Sequence, residues 1–468
     1  MKKKPFIHPY IPNSAPAIRE AMLRRIGVRD VEALFVEIPE RLRFRGTMKL
    51  PAPIVSEYEL RRHVEQILGK NRTCREYLNF RGAGCWQHYV PAVVDEVVNR
   101  SEFLTAYCGA SYSDLGKYQT RFEFYSQMGE LLNMDVVTEP IYDWGTAAGY
   151  AIRMAARMTG RNEVLLPRVI DPERLSVIKN LCQPPTMASH IAVRHMDCDR
   201  QTGCLDLEDL KAKISSKTAA VYVENPSYLG LIEDQGDEIG NIAHEKGALF
   251  IVGVDPISLG VLKPPADYGA DIACGDVQPL GTHMQCGGSL SGFMAFRDEE
   301  IYVAECPLMM YSIVETENEG EFAFAEVLAE RTSYGLRDKG KDWVGTASGL
   351  WTIGAAVYLA LMGPQGMREV GEVIIQKCHY AMHLLSELKG VKIVFSGSPF
   401  KEFVVNFDES GRSVSDINKA LLEHGIFGGK DITQEFPAYG QSAMYCVTEI
   451  HTKEDIQRLV SALKEVLP

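Results

Sequence analysis

Four apolar runs constrain the fold of this 468-residue chain more than any other feature. They are "EVLLPRVI" (163–170), "TAAVYVENP" (218–226), "ALFIVGVD" (248–255) and "DIACGD" (271–276). A strand covered on one face alternates apolar and polar residues. A strand covered on both faces is apolar in a run, as these four are, which is the signature of a buried, mostly parallel sheet. Helical stretches precede and separate them. "RFEFYSQMGELLNM" has helical periodicity, and "GTAAGYAIRMAARMTG" is rich in small residues that permit close packing. The alternation predicts an open α/β domain with ligands at the carboxyl ends of its strands.

The flanks read differently. "NSAPAIREAMLRRIG" (13–27) predicts a helix capped by Asn13 or Ser14, with Pro16 in its first turn and Gly27 as its stop. A second helix, "SEYELRRHVEQILGK", begins at Ser56. Proline-punctuated segments join them, so residues 1–80 are expected to form a helical arm that cannot fold alone. Residues 81–330 are expected to form the large α/β domain, ending in a polar, irregular connector around "VETENEGEFAF" that runs on to about residue 346. Residues 331–468 add a long helix and a small α+β domain. Its strands are "VKIVFSG", "EFVVNF" and "AMYCVTEI". Ser413 with Asp416 opens one of its helices, and Thr452 with Asp455 opens the last.

Composition excludes several classes. Lys+Arg 49 against Asp+Glu 62 leaves a net charge of −13, which argues against nucleic acid and anionic membrane as partners. Eleven cysteines are scattered without a C-x-x-C pair, which argues against a zinc ribbon or disulfide framework and suits a reducing cytoplasm. "MKKKPFIHPYIPN" has no apolar run behind its charges, so it does not read as a signal peptide. No apolar stretch reaches membrane-spanning length.

Several residues can carry chemistry. Thr146, at the start of the small-residue helix, can join free N–H groups in an anion site, or it can simply cap a core helix. Asn225, before Pro226, can face a ligand or serve a turn. Asp255 ends the most apolar strand and needs a partner for its carboxylate. A pyridinium nitrogen, a helix N-terminus or an arginine would each serve. In pyridoxal-phosphate enzymes such an aspartate pairs with the pyridinium, and a lysine further along holds the cofactor as a Schiff base. Here no lysine occurs between Lys263 and Lys339. His88 lies in the glycine- and aromatic-rich loop "GAGCWQHYVP", where it can serve a ligand or pack against Trp86 and Tyr89. His379 and His383 share a helix face at zinc-ligand spacing, but no third ligand accompanies them, and a plain amphipathic helix accounts for both. There is no G-x-S-x-G elbow, P-loop or G-x-G-x-x-G.

Taken together, these segments resemble subunit 1 (the alpha subunit) of the two-subunit glycine decarboxylase, the P-protein of the glycine cleavage system. The resemblance rests on "YIPNSAPAIREAMLRRIGVRDVEALFVEIPERLRFRG", "GAGCWQHYVPAVVDEVVNRSEFLTAY", "ENPSYLGLIED", "VDPISLGVLKPPADYGADI", "GDVQPLG" and "GAAVYLALMGPQGMREV", in that order over nearly the whole chain. It implies a fold-type I pyridoxal-phosphate-dependent transferase-like architecture, with a large domain and a smaller C-terminal domain. It also implies that this subunit lacks the Schiff-base lysine. Gln278 and Pro279 stand at the comparable place, and a second subunit holds the cofactor covalently. An αβ or α2β2 assembly near the lipoyl H-protein follows from the same resemblance. Glycine would lose its carboxylate as CO2, and the aminomethyl group would pass to the lipoyl arm. His88, Tyr89 and Tyr107 are the expected pocket-facing groups for a small amino acid. Thr146, Asn225, Asp255 and Gln278 mark this chain's own cofactor positions.

The chain departs from the family at "TAYCGASYSDLG", which lacks a Pro-Tyr-Gln stretch, at "RDKGKDWVGTASG", and at "GDVQPLG" in place of "GDGQPLG". These places leave two alternatives. One is a divergent paralogue acting on a different small amino acid; the other is a non-catalytic partner of another pyridoxal-phosphate enzyme.

Overall fold

The computed structural model describes residues 7–104, 117–184, 188–288, 290–341 and 348–468. They form two units, Met1–Arg72 and Thr73–Pro468. The first holds helices Pro16–Ile26 and Glu57–Leu68. Gly27 stops the first helix in the left-handed region (φ 87°). Its expected cap is corrected, because Ala15 is the N-cap and Ser14 instead accepts a hydrogen bond from the His8 N–H (2.8 Å). Ser56 caps the second helix by accepting from the Glu59 N–H. Arg45 pairs with Glu32 (2.8 Å) and Glu40 (3.0 Å) on the segment between them. No described residue of this unit is buried, so it contains no core of its own.

The second unit is built on a seven-stranded sheet. Its strands are β1 (Val136–Val137), β2 (Glu163–Pro167), β3 (Ala192–Met196), β4 (Thr218–Asn225), β5 (Leu249–Val254), β6 (Ile272–Asp276) and β7 (Gly292–Phe296). Their order is β1-β7-β6-β5-β4-β2-β3. Strands β3, β2, β4, β5 and β6 run parallel, and β7 is antiparallel to both its neighbours. The four apolar runs are β2, β4, β5 and β6.

Both sheet faces are covered, as continuous apolar runs require. Val221 and Val223 of β4 enter one apolar cluster, with Phe124 and Met128 of helix Tyr118–Leu132. Ala220 and Tyr222 enter the opposite one, with Ala147, Ala151 and Ala155 of helix Trp144–Thr159. Small residues let that helix sit close. A Cβ on its Gly149 would meet Leu181 Cδ1 at 2.5 Å.

A four-stranded antiparallel sheet packs with helices Val414–Glu423 and Lys453–Val466 into a further apolar cluster. Its central strands are Glu402–Asn406 and Ser442–Cys446. Thr452 and Asp455 form a complete capping box. The long helix Gly349–Ser386 breaks at Gly363 (φ 58°, ψ −177°) just before Pro364, where the sequence reads as two segments. The expected irregular connector is corrected. It contains helix Glu300–Glu305 and an antiparallel hairpin, Tyr311–Glu315 with Phe322–Glu326, turning through Gly320 at positive φ.

Candidate active site

Strand β5 delivers Asp255 at its carboxyl end. Pro256 then stops the ladder, and the Asp255 side chain caps the following turn by accepting the Ile257 N–H (3.2 Å). The partner that this buried carboxylate needs comes from the small lobe. Lys401, one residue ahead of strand Glu402–Asn406, places Nζ 2.7 Å from Asp255 Oδ2, and both side chains are almost fully buried. The same Nζ lies 3.1 Å from His88 Nε2 and 3.6 Å from the Trp86 ring centre. An ammonium loses its hydration on burial, and a carboxylate, an imidazole nitrogen and an aromatic face replace it here.

The other ring nitrogen of His88, Nδ1, faces Glu449 Oε2 at 2.7 Å. Glu449 Oε1 also accepts the Tyr89 N–H (2.6 Å). Burial pushes the Glu449 carboxyl up, but His88 and the Tyr89 N–H more than reverse this and bring it down to about 2. A carboxyl depressed on folding stabilises the native state above its unfolded value, near 4.5, and that stability is lost as pH falls toward about 2. Urea unfolding at a series of pH values should show up to about 3 kcal/mol lost in this window, and Glu449→Gln should flatten that slope.

Trp86 is fixed from the sheet side. Gln278 accepts the Trp86 N–H (3.0 Å) and donates Nε2 to Trp86 O (2.8 Å) and Thr282 O (3.0 Å). Asp276 Oδ1 orders the turn that carries Gln278 by accepting the Gln278 and Ser291 N–H groups. The structure therefore brings His88, Asp255 and Gln278 into one constellation, joined through Lys401 and Trp86.

The other expected residues have local duties. Helix Trp144–Thr159 is capped by Asp143, whose Oδ1 takes both the Thr146 N–H (2.7 Å) and the Thr146 hydroxyl (3.0 Å). The Thr146 donors are thus committed to an internal carboxylate. The Asn225 amide bonds Glu233 O and the Glu233 N–H, both at 3.1 Å, and pins the loop after β4. The Tyr89 side chain is exposed. Tyr107 lies outside the described residues. His383 is exposed and faces Glu387 at 3.5 Å.

A narrow cleft lies beside Asp255 and is lined in part by Trp86, Trp144, Arg174, Glu224, Tyr228 and Lys401. Arg174 Nη1 lies 2.6 Å from Glu224 Oε1, and its guanidinium lies over the Trp144 ring at 3.9 Å. Trp144 Nε1 donates to the Tyr222 hydroxyl (3.0 Å), which donates to Glu224 Oε1 (2.9 Å). Burial works against the Arg174 charge, but Glu224 outweighs it and holds the guanidinium above its ordinary value. Arg174, Glu224, Lys401 and Glu449 were missed by sequence reasoning, and Trp86 entered it only as a packing partner of His88. The one signal for Lys401 was a Lys-Glu pair entering the apolar run "FVVNF".

The parallel sheet, the strand-end aspartate and the small lobe closing over it define a fold-type I pyridoxal-phosphate-dependent transferase-like chain. Among solved structures, an inhibitor-bound crystal structure of glycine decarboxylase (P-protein) of the glycine cleavage system is similar with a TM-score of 0.83 at 32% identity, covering 99% of this chain and 100% of that one. A sphingosine-1-phosphate lyase of Burkholderia pseudomallei shares the fold at a TM-score of 0.63 and 14% identity, over 92% and 94% of the two chains. The family model for the glycine cleavage system P-protein matches residues 8–463, and the chain belongs to that family. Its relatives include the probable glycine dehydrogenase (decarboxylating) subunit 1 of Staphylothermus marinus, 39% identical over 98% of each chain. The protein so described in Pyrococcus abyssi is 38% identical over 98% of this chain and 99% of its own.

The residues of this chain's pocket do not fit pyridoxal phosphate. The strand-end carboxylate that would meet a pyridinium already holds Lys401. The helix N-terminus that would meet a phosphate holds the Asp143 carboxylate. Gln278, at the place implied for the lysine, is engaged by Trp86 and Thr282.

Proposed function

We propose that the chain is subunit 1 of a glycine decarboxylase and works with a second subunit that bears the Schiff-base lysine and holds the cofactor. The observation that carries this reading is likeness along 98% of the chain to proteins described as subunit 1. A pocket closed by the chain's own residues supports it.

Held by the partner, pyridoxal phosphate would supply the electron sink that lets glycine lose its carboxylate as CO2. The aminomethyl carbon would then bond to one sulfur of an oxidised lipoyl disulfide on the H-protein, and the S–S bond would break to leave the other sulfur as a thiol. This chain contributes a shaped wall. The Glu449 carboxylate holds the backbone of Tyr89, so the exposed tyrosine is presented from an ordered loop. His88 positions that loop through Glu449 and Lys401. Tyr89 and Tyr107 are the groups offered to a small zwitterion. The assembly is an αβ unit or its α2β2 dimer, and its compartment is the cytoplasm. No helix among the described residues is long and apolar enough to cross a membrane.

The test is exchange of labelled bicarbonate into glycine by this chain mixed with the lysine-bearing subunit and H-protein. A second reading, decarboxylation of a different small amino acid, is favoured by the "TAYCGASYSDLG" segment. Exchange into alanine or serine, but not glycine, would select it.

A further inference from the structure

We infer that Lys401 is a built-in cation that occupies the cofactor's place on Asp255, so that the pocket is a cation site closed by the chain's own small lobe. The site is fully furnished for one organic cation. Asp255 supplies a carboxylate 2.7 Å from Nζ, His88 a ring nitrogen at 3.1 Å, and Trp86 an aromatic face at 3.6 Å. Each of these is itself held. Asp255 accepts the Ile257 N–H, His88 meets Glu449, and Gln278 brackets the Trp86 backbone. The groups around the cation are therefore each fixed by a neighbour of their own, which is the condition for selective recognition.

The cation is tethered in a way that joins two bodies of packing. Asp255 directly follows β5 of the large sheet, and Lys401 directly precedes a strand of the small sheet. Beside it the contact is close. Glu402 accepts the Ala83 N–H (2.6 Å), and Gly230, at φ 91°, abuts the Glu402 backbone so tightly that a Cβ there would overlap it. Lys401 thus fastens the small lobe to the sheet. A vacated site would accept an alkylammonium or a pyridinium, cations whose N–H can face one carboxylate beside an aromatic ring.

This inference concerns the chain alone and stands whether or not the partner reading holds. The experiment is thermal unfolding of the purified full chain. Lys401→Ala leaves the Asp255 carboxylate buried without its cation, and Tm should fall by roughly 3–5 °C. n-Butylammonium chloride should restore much of that loss in a saturable way, while sodium chloride at the same ionic strength should not, and neither should raise the wild-type Tm. Should Lys401→Ala not fold, Lys401→Met, Asp255→Asn and the double variant give the same reading. The double variant should melt above both single variants, because it strands no charge. The inference is overturned by a wild-type Tm for Lys401→Ala, by equal effects of the two salts, or by losses that simply add in the double variant. Stoichiometric cofactor absorbance on titrating the wild-type chain with pyridoxal phosphate would overturn it as well.

Discussion

Arg174→Met is expected to destabilise the chain by about 3–5 kcal/mol, read as a lower urea midpoint at unchanged slope. Arg174 lies beneath the cleft with Glu224 at 2.6 Å, and both side chains are buried. Methionine keeps most of the volume and removes the charge. Glu224 would then retain only the Tyr222 hydroxyl as a partner on Oε1, and the Trp144 ring would lose the guanidinium above it. The cost comes from stranding an anion in an apolar interior more than from losing attraction, because a buried pair gains little over hydrophobic residues of the same size. Arg174→Met/Glu224→Leu should therefore recover more than half of the loss. A single-variant loss below about 1 kcal/mol, the range of an exposed pair, would show that the cleft is wet and the pair unimportant.

The second large effect is catalytic. With H-protein present throughout, the chain alone is expected to exchange no labelled bicarbonate into glycine above background, and addition of the lysine-bearing subunit should restore exchange. The difference should be about 10⁶-fold or more, the ordinary span between an enzyme and its uncatalysed reference. The physical reason lies in the pocket. Gln278 and Pro279 offer no amine, and Lys401, beside Asp255, is engaged by a carboxylate, an imidazole and an indole. A lysine held in that way is neither free to attack a carbonyl nor able to leave without stranding Asp255. Exchange by the chain alone would show that one of its lysines serves after all.

The sheet was legible where burial is two-sided. β2, β4, β5 and β6 are apolar in runs because helices cover both faces, and their limits fall within a few residues of the runs. β3 was hidden because it is an edge strand: "AVRHM" carries Arg194 and a half-buried His195, as an edge permits. β1 is only two residues long, and β7 follows "CGGSLSG", which reads as loop. The hairpin at Tyr311–Glu326 was lost because its polar turn set the reading of the whole segment.

The site was half legible for a different reason. Asp255 announces itself, since a carboxylate at the end of an apolar strand needs a partner. The identity of the partner depends on tertiary folding, because Lys401 belongs to the small lobe and meets Asp255 only when that lobe closes. Of the two readings open for Thr146, the geometry favours a local role in the first turn of its helix. Asp143 stands three residues earlier, at N-cap spacing, and "DWGT" reads as a capped helix once that carboxylate is given its usual role.

In the proposed split enzyme, this chain is the half that holds no covalent cofactor. Borohydride reduction of the reconstituted complex separates the two subunits in this respect, because hydride fixes pyridoxal phosphate permanently to whichever lysine carries it. Intact-mass measurement of both subunits should show one cofactor adduct on the partner and none on this chain. An adduct on this chain, at Lys401 or any other lysine, would contradict the account.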